Sequence, residues 1–381
     1  MTVRIPVKQN VLTWAIERAG YAVEPFLAEV PQAAKWVQGE KEPTLKQLEN
    51  FAKKLHVPFG FLLLDEPPKE AIVPPLFRTI DAAGGLPPTV RDTIVLLRQR
   101  QDWLSDFLRD NGHDALPFVG SAAQTDNPVE LAGRMRGLLG LPANQPIRRG
   151  KAGDTLRLLA DTLDEVGIHV FISGVDGNNN RRPIPVENCR GFVLLDDFAP
   201  FVFVNNQDAK AAQLFTLAHE FAHVLVGREG LLQLDQLLPA EDPIERLCDA
   251  AAAEFLVPAA LLPQVFVEAG EDVDKTARVF GVSPIVIGRR LLDLGQWDRS
   301  TFFAFYATQR AKWDALRAKQ KEVDGGNFYA TKAQKVGRRF LQYVDQAARS
   351  GSLPYRQAYR LTGTTRKSFT QLVEKSQPTD G

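Results

Sequence analysis

Apolar positions recur at helical spacing in five short runs between residues 7 and 64: Val11 to Ile16, Val23 to Val30, Gln32 to Val37, Thr44 to Leu55 and Phe59 to Leu64. Gly20 separates the first two. The turn Gly39-Glu-Lys-Glu-Pro-Thr44 leads into an N-cap threonine with Gln47 at the capping-box position. Pro67 to Pro88 is rich in Pro and Gly and reads as a tether. An apolar helix from Val90 to Leu108 follows, in which Arg98-Gln-Arg-Gln-Asp102 reads as a solvated face. Asp126-Asn127-Pro128 opens another helix with a residue able to cap it. Short β-prone runs near 168–173, 190–196 and 200–205 predict a small sheet, with Asp176-Gly-Asn-Asn-Asn180 and Asp196-Asp197 as turns. The last strand feeds a helix over 216–226 that is apolar on most of its circumference. The pattern predicts an α+β fold, mostly helical, with a three-stranded sheet.

That helix, Thr-Leu-Ala-His-Glu-Phe-Ala-His-Val-Leu-Val, sets His219, Glu220 and His223 in an H-E-x-x-H array. At about 100° per residue, two histidines four apart stack on one face, where two imidazoles can grip one metal ion. Glu220 lies about a quarter turn away, within reach of a water at that ion. A plain core helix with two satisfied histidines is the competing reading. Burying two imidazoles and a carboxylate together costs stability unless something binds them. No histidine follows residue 223, so a carboxylate must complete the site. Glu245 is the first candidate, on an Ala-rich helix that begins after Glu241-Asp242-Pro243. Asp249, one turn on, can orient a ligand histidine through its free ring nitrogen. Glu254 is the rival, about 180° round the helix from Glu245.

His219-Glu-Phe-Ala-His223 followed by Glu245-x-x-Cys-Asp249-x-x-Ala-Ala-Glu-Phe-Leu-Val-Pro258 resembles the ImmA/IrrE metallopeptidases, gluzincin-like proteins that cleave repressors. The similarity extends upstream through Val129 to Leu139, Gly167 to Ile172, Arg190 to Leu195 and Phe201 to Asn205. It resumes in Gly281-Val-Ser-Pro284 and Arg289-Arg-Leu-Leu292. The resemblance implies a zincin-like domain in which His219, His223 and Glu245 hold zinc, or manganese in its place, and Glu220 is the base. Asp249 stands where the family usually has Asn. His169, on the first strand, is a candidate oxyanion stabiliser, although strand histidines are commonly structural.

In the N-terminal run, Trp36-x-x-Gly39-Glu-x-x-Pro43-Thr44-x-x-x-Leu48 resembles an XRE-type helix-turn-helix, with Gln32, Lys35 and Gln38 as the groups that would face DNA. Residues 1–70 carry 9 basic and 9 acidic side chains, so no phosphate-binding surplus exists. A docking module that has lost DNA reading fits equally well, and Pro25 within the second helix departs from the XRE pattern. Residues 272–295 show a second helix-turn-helix pattern in which Arg289 and Arg290 are candidate phosphate contacts.

With 46 basic and 46 acidic residues the net charge is zero, but its distribution is uneven. Residues 228–275 hold 11 acidic against 3 basic side chains, and 310–381 hold 15 basic against 6 acidic. The basic tail can meet nucleic acid, cover the acidic region or be a solvated face of an amphipathic core. Cys189 and Cys248 give no disulfide framework; Cys248 is either a buried thiol or a thiolate near the metal. No membrane span or signal peptide is evident, so a cytoplasmic location is expected. The expected organisation is a helix-turn-helix bundle (1–70), linker and helix (71–125), metallopeptidase domain (126–265), helix-turn-helix-like segment (266–310) and basic helical region (311–381).

The expected activity is zinc-dependent cleavage of a peptide bond in an intracellular regulatory protein, a repressor or antitoxin-like partner, in a stress or toxin-antitoxin setting. The competing view is a DNA-binding antitoxin or transcriptional regulator whose peptidase-like domain binds a partner. DNA contact through the helix-turn-helix segments belongs to either view.

Overall fold

The computed structural model describes residues 4–68, 86–122, 127–143, 145–147, 151–229, 231–232, 242–320 and 333–376. The tether expected over 67–88 lies mostly outside them. The chain divides into two compact units, residues 1–95 and 96–381.

The first unit contains α1 (Gln9–Arg18), α2 (Val23–Glu29), α3 (Pro31–Val37), α4 (Leu45–Leu55) and a 3-10 turn (Phe59–Leu63). These are the five expected runs. Leu12, Ile16, Phe26, Trp36, Leu48, Phe51 and Leu62 fill its core, with the Trp36 ring edge-on to Phe51. Thr44 closes the predicted capping box: its hydroxyl accepts from the Gln47 N–H, and the Gln47 side chain accepts from the Thr44 N–H at 2.9 Å. Such a cap contributes about 1 kcal/mol. Pro25 falls in the first turn of α2, where its missing N–H has no intrahelical partner to lose.

The second unit begins within α5 (Pro88–Asp110) and continues through α6 (Pro128–Leu138) and α7 (Ala152–Glu165). The Asn127 side chain caps α6, accepting from the Val129 and Glu130 N–H groups. Strands β1 (His169–Ile172), β2 (Gly191–Leu194) and β3 (Phe201–Val204) appear where expected, joined by a two-residue β4 (Leu231–Leu232). The sheet order is β1-β3-β2-β4, with β1 parallel to β3 and β2 antiparallel to both β3 and β4. The chain then forms α8 (Lys210–Val226), α9 (Pro243–Leu256), α10 (Leu262–Glu268), α11 (Val273–Phe280), α12 (Pro284–Asp293) and α13 (Arg299–Gln320). It ends in α14 (Arg338–Ser350), α15 (Tyr355–Thr362) and α16 (Arg366–Ser376).

Alternation along the strands gives the sheet two different faces. Val170, Ile172, Val193, Val202 and Val204 share one core with α8 and α9. Ala277, Phe280, Ile287 and Leu291 join the same core, so the segment expected as a separate piece at 266–310 packs with the peptidase elements. The opposite face is aromatic: Phe171 and Phe201 lie 4.5 Å apart, and each is 6.0 Å from Phe340 of α14. Within the polar stretch Arg98 to Asp102, Gln99 and Asp102 are exposed as expected of a solvated face, but Arg100 and Gln101 turn inward on this side. Arg100 is buried against Phe171 and Phe340, and the fully buried Gln101 amide donates to the Leu194 and Ala199 carbonyls, each at 2.8 Å. Gln101 is buried here because the end of β2 and the loop before β3 offer carbonyls that need donors.

Asp164 of α7 is buried and accepts from the Val170 N–H at 3.1 Å. Burial raises its carboxyl from the ordinary 3.8 to about 7, against the lowering effect of the Val170 N–H. The folded state therefore keeps a proton that the unfolded chain releases. Stability from this group is full below 3.8 and is lost as pH rises through about 7, at most about 4 kcal/mol. His169 has the opposite sign. Burial and the Arg339 charge lower it from 6.5 to about 3, so its contribution is full above 6.5 and fades as pH falls towards 3. Comparing Asp164→Asn with the wild type isolates the first effect. In urea unfolding the variant should gain stability relative to the wild type between pH 5 and pH 8, and a pH-independent difference would refute the assignment.

Candidate metal centre

The metal-facing helix is α8, and its sequence explains why it lies at the centre of the fold. Leu214, Leu217, Ala218, Phe221, Ala222, Val224 and Leu225 cover it on every side with apolar groups, and it is buried from Leu214 onward except for the half-buried Phe215. Its C-terminal carbonyls are capped by a neighbouring segment: Gly120 N–H donates to Val224 O at 3.0 Å and Ala122 N–H to Leu225 O at 2.7 Å. The approach is close enough that a Cβ on Gly227, which ends the helix at φ 77°, would meet the Gly120 Cα at 2.7 Å. α9 starts at Pro243, capped by Asp242, whose side chain accepts from the Ile244 N–H at 2.8 Å. Small buried residues, Ala251 and Ala252, face the core.

Three side chains converge between these helices. His219 and His223 lie with Nε2 atoms 3.1 Å apart. Glu245 places Oε2 3.2 Å from His219 Nε2 and Oε1 3.4 Å from His223 Nε2. Donors bonded to zinc at roughly 2.0–2.1 Å in a tetrahedron are separated by roughly 3.3 Å, so the three distances match the edges such an ion requires. The outer ring nitrogens have acceptors of their own. His223 Nδ1 is 2.9 Å from Arg228 O, which the Gly227 turn brings back towards the helix, and His219 Nδ1 is 2.9 Å from Asp249 Oδ1, with its N–H off the ideal line. With protons on Nδ1, both Nε2 lone pairs point at each other and at a carboxylate, an arrangement that needs positive charge at its centre.

The electrostatics make the same demand. Burial works to lower His219, but the carboxylates of Asp249, Glu245 and Glu220 outweigh it and raise it to about 10. Burial works to raise Glu245, yet the two imidazoles hold it well below the usual carboxylate range. Glu220 is fully buried and neither of its oxygens has a hydrogen-bond partner. Burial pushes it up to about 8; His219 lowers it, and Glu245 and Asp249 raise it. A buried carboxyl without partners is costly, and a reactive water beside the ion would supply the missing donor. Gly191 of β2 makes room for it: a Cβ there would lie 2.4 Å from Thr216 Cγ2, 2.8 Å from Phe203 O and 3.2 Å from Glu220 Oε1.

Other expected residues lie elsewhere. Glu254, the rival ligand, pairs with Arg290 and accepts from the Ala259 N–H, so it stabilises the fold away from the two rings. Arg290 is correspondingly no phosphate contact: it is buried and also donates to Val257 O at 3.0 Å. Arg289 pairs with Asp293 at the surface. His169 is no oxyanion stabiliser. It alternates with Val170 and Ile172 and so faces away from α8, packed against Phe201 and Tyr343. Cys248 is a buried thiol, raised further out of its reactive range by burial. Gln32, Lys35 and Gln38 are exposed at α3 in the first unit, with Gln32 accepting from the Gln47 amide at 3.5 Å. Sequence reasoning missed Arg136, which donates to Phe255 O at 2.7 Å and to Pro142 O at 2.6 Å and so fixes the far end of α9.

A buried helix bearing two histidines and an unpartnered glutamate, joined by a glutamate from the next helix, defines the metal framework of zincin-like metallopeptidases. Residues 163–292 match the family model described as the IrrE N-terminal-like domain, Peptidase M78, which runs from the end of α7 through α12. Over this segment, about a third of the chain, the protein is similar to the ImmA/IrrE metallopeptidases. Residues 336–375 match a second model, a domain of unknown function (DUF8813). No curated protein matches the chain significantly. Among the described residues no helix is long and apolar enough to cross a membrane.

Zinc titration followed by elemental analysis should find one ion per chain. His219→Ala should lose it, and undiminished zinc in that variant would refute the ligand. Asp249→Ala should keep the stoichiometry and lose about 10–100-fold in affinity. Gly191→Ala should cost about 1–3 kcal/mol through the Phe203 and Thr216 collisions, read as a lowered Tm; an unchanged Tm would mean that β2 yields there.

Proposed function

We propose that the protein is a zinc-dependent endopeptidase that hydrolyses one peptide bond in a regulatory protein of the repressor or antitoxin-like class. The observation that carries this reading is the geometry at α8: two Nε2 atoms and a carboxylate spaced for one ion, with an unpaired buried glutamate beside them. His219, His223 and Glu245 would hold the metal, with Asp249 and Arg228 O setting the imidazole orientations. Zinc, when bound, supplies Lewis acidity that lowers the pKa of a water towards about 7 and polarises the scissile carbonyl. Glu220 accepts the proton of the attacking water at one carboxylate oxygen and delivers it to the leaving amine. The apolar packing around α8 excludes bulk water from this exchange. Glu245, about a quarter exposed, marks the side on which substrate enters. An extended substrate would add at the β4 edge of the sheet, next to β2 and its Gly191.

The substrate class rests on the resemblance to repressor-cleaving relatives. The N-terminal unit supports a docking role more than DNA reading, because Lys35 is the one cation among its three exposed candidate groups and its charge is balanced.

Zinc-loaded protein should be incubated with the products of adjacent genes and the mixtures read by intact mass. The wild type should yield two fragments whose masses sum to one substrate plus one water. Glu220→Gln should bind zinc equally and cut about 10²–10⁴-fold more slowly. Wild-type cleavage by Glu220→Gln would remove Glu220 from the mechanism.

A further inference from the structure

The last three helices carry a surface that the peptidase does not use. α14, α15 and α16 pack together around Leu341, Val344, Leu353, Ala358, Phe369 and Leu372, all buried. The link from α15 to α16 is the three-residue turn Gly363-Thr364-Thr365, in which Gly363 adopts φ 61°. Tyr359 and Phe369 meet across that turn at 5.5 Å. Three helices in mutual contact, with the second and third joined by a short glycine-led turn, form the framework of a helix-turn-helix module.

Charge separates this module from an ordinary solvated face. The chain as a whole balances 46 cations with 46 anions, yet residues 346–373 contain five cations and no acid. Arg349 is matched by Asp345 at 2.8 Å. Arg356 and Arg360, one turn apart on α15, and Arg366 and Lys367, in the first turn of α16, are exposed and make no ion pair with any described residue. Thr370, one turn beyond Arg366, is also exposed. Four unpaired cations on consecutive helices repel one another, and a polyanion relieves that repulsion. The apolar residues of α16 are inside, which leaves no face for insertion into lipid.

The module is held as one piece with its support. Phe340 and Tyr343 of α14 pack on the aromatic side of the sheet, Arg100 Nε donates to Leu361 O at 2.8 Å, and the Asn178 amide donates to Gly363 O at 2.6 Å. These contacts fix the turn before α16, so the cations are presented at constant spacing.

We propose that residues 338–376 bind duplex DNA, with Arg356 and Arg360 on the phosphates and the first turns of α16, carrying Arg366, Lys367 and Thr370, in the major groove. A B-form major groove admits a helix, whereas that of A-form RNA is too deep and narrow for side chains to read, so the shape selects DNA. This inference is independent of the peptidase reading.

The full-length protein should be titrated into a fluorescein-labelled 30-base-pair duplex of arbitrary sequence and followed by anisotropy from about 50 to 200 mM salt. Binding should weaken with salt as a log-log line. Arg356→Gln/Arg360→Gln and Arg366→Gln/Lys367→Gln should each lower affinity at least about 10-fold and flatten the slope by about one to two. Lys53→Gln/Lys54→Gln, in the first unit, should leave both unchanged, and circular dichroism checks that each variant is folded. Absence of binding at the lowest salt, equal loss in the Lys53/Lys54 variant, or tighter binding to an RNA duplex of the same sequence would each overturn the proposal.

Discussion

The arrangement that everything else serves is the meeting of two Nε2 atoms and one carboxylate in a space the size of a single ion. Bringing these groups together without a cation is unfavourable, since two lone pairs and a negative charge face one another. The surrounding fold supplies the constraint that keeps them there. α8 is buried along most of its length and capped by backbone N–H groups at its end, so its histidines cannot swing away. α9 is held at its start by the Asp242 cap and at its end by Arg136 and Arg290, whose guanidinium groups take up the Phe255 and Val257 carbonyls. Both arginines are themselves buried and stay charged, Arg136 even though burial lowers it to about 10. Glu245 is thereby fixed from both ends of one rigid element.

The two faces of the sheet divide the labour. The aliphatic face abuts the metal helix, where β-branched side chains pack tightly and Gly191 leaves a gap for Glu220. The aromatic face binds other helices to the sheet. His169 belongs to that second face, which explains why a histidine on a strand beside a metallopeptidase helix has no catalytic position.

What could be read from the chain was local. The capping box at Thr44, the Asn127 cap, the three strands and the H-E-x-x-H helix are each written within a few residues, and each is found in the structure. The third donor was harder, because Glu245 and Glu254 lie on opposite sides of one helix and only tertiary packing decides which side faces α8. The buried roles of Arg100, Gln101, Arg136 and Arg290 had no local signal at all. A polar residue reads as solvated until a distant carbonyl is found waiting for it, and those carbonyls come from strand ends and helix ends far along the chain. The need for glycine at 191 was hidden for the same reason, since the atoms that would collide with a side chain belong to β3 and α8.

The aromatic face has a bearing on what counts as a unit of inheritance. The segment that matches the family model, 163–292, contains the strands bearing Phe171 and Phe201 but neither of the helices described as covering them. One cover, residues 96–110, precedes it, and the other, 338–350, follows it. The recognisable peptidase segment is thus not self-sufficient in this chain: lifted out alone, it would present bare aromatic rings to water. Residues 96–110 and 338–350, which lie on either side of it in sequence, meet over the same rings and so close one hydrophobic layer from both flanks.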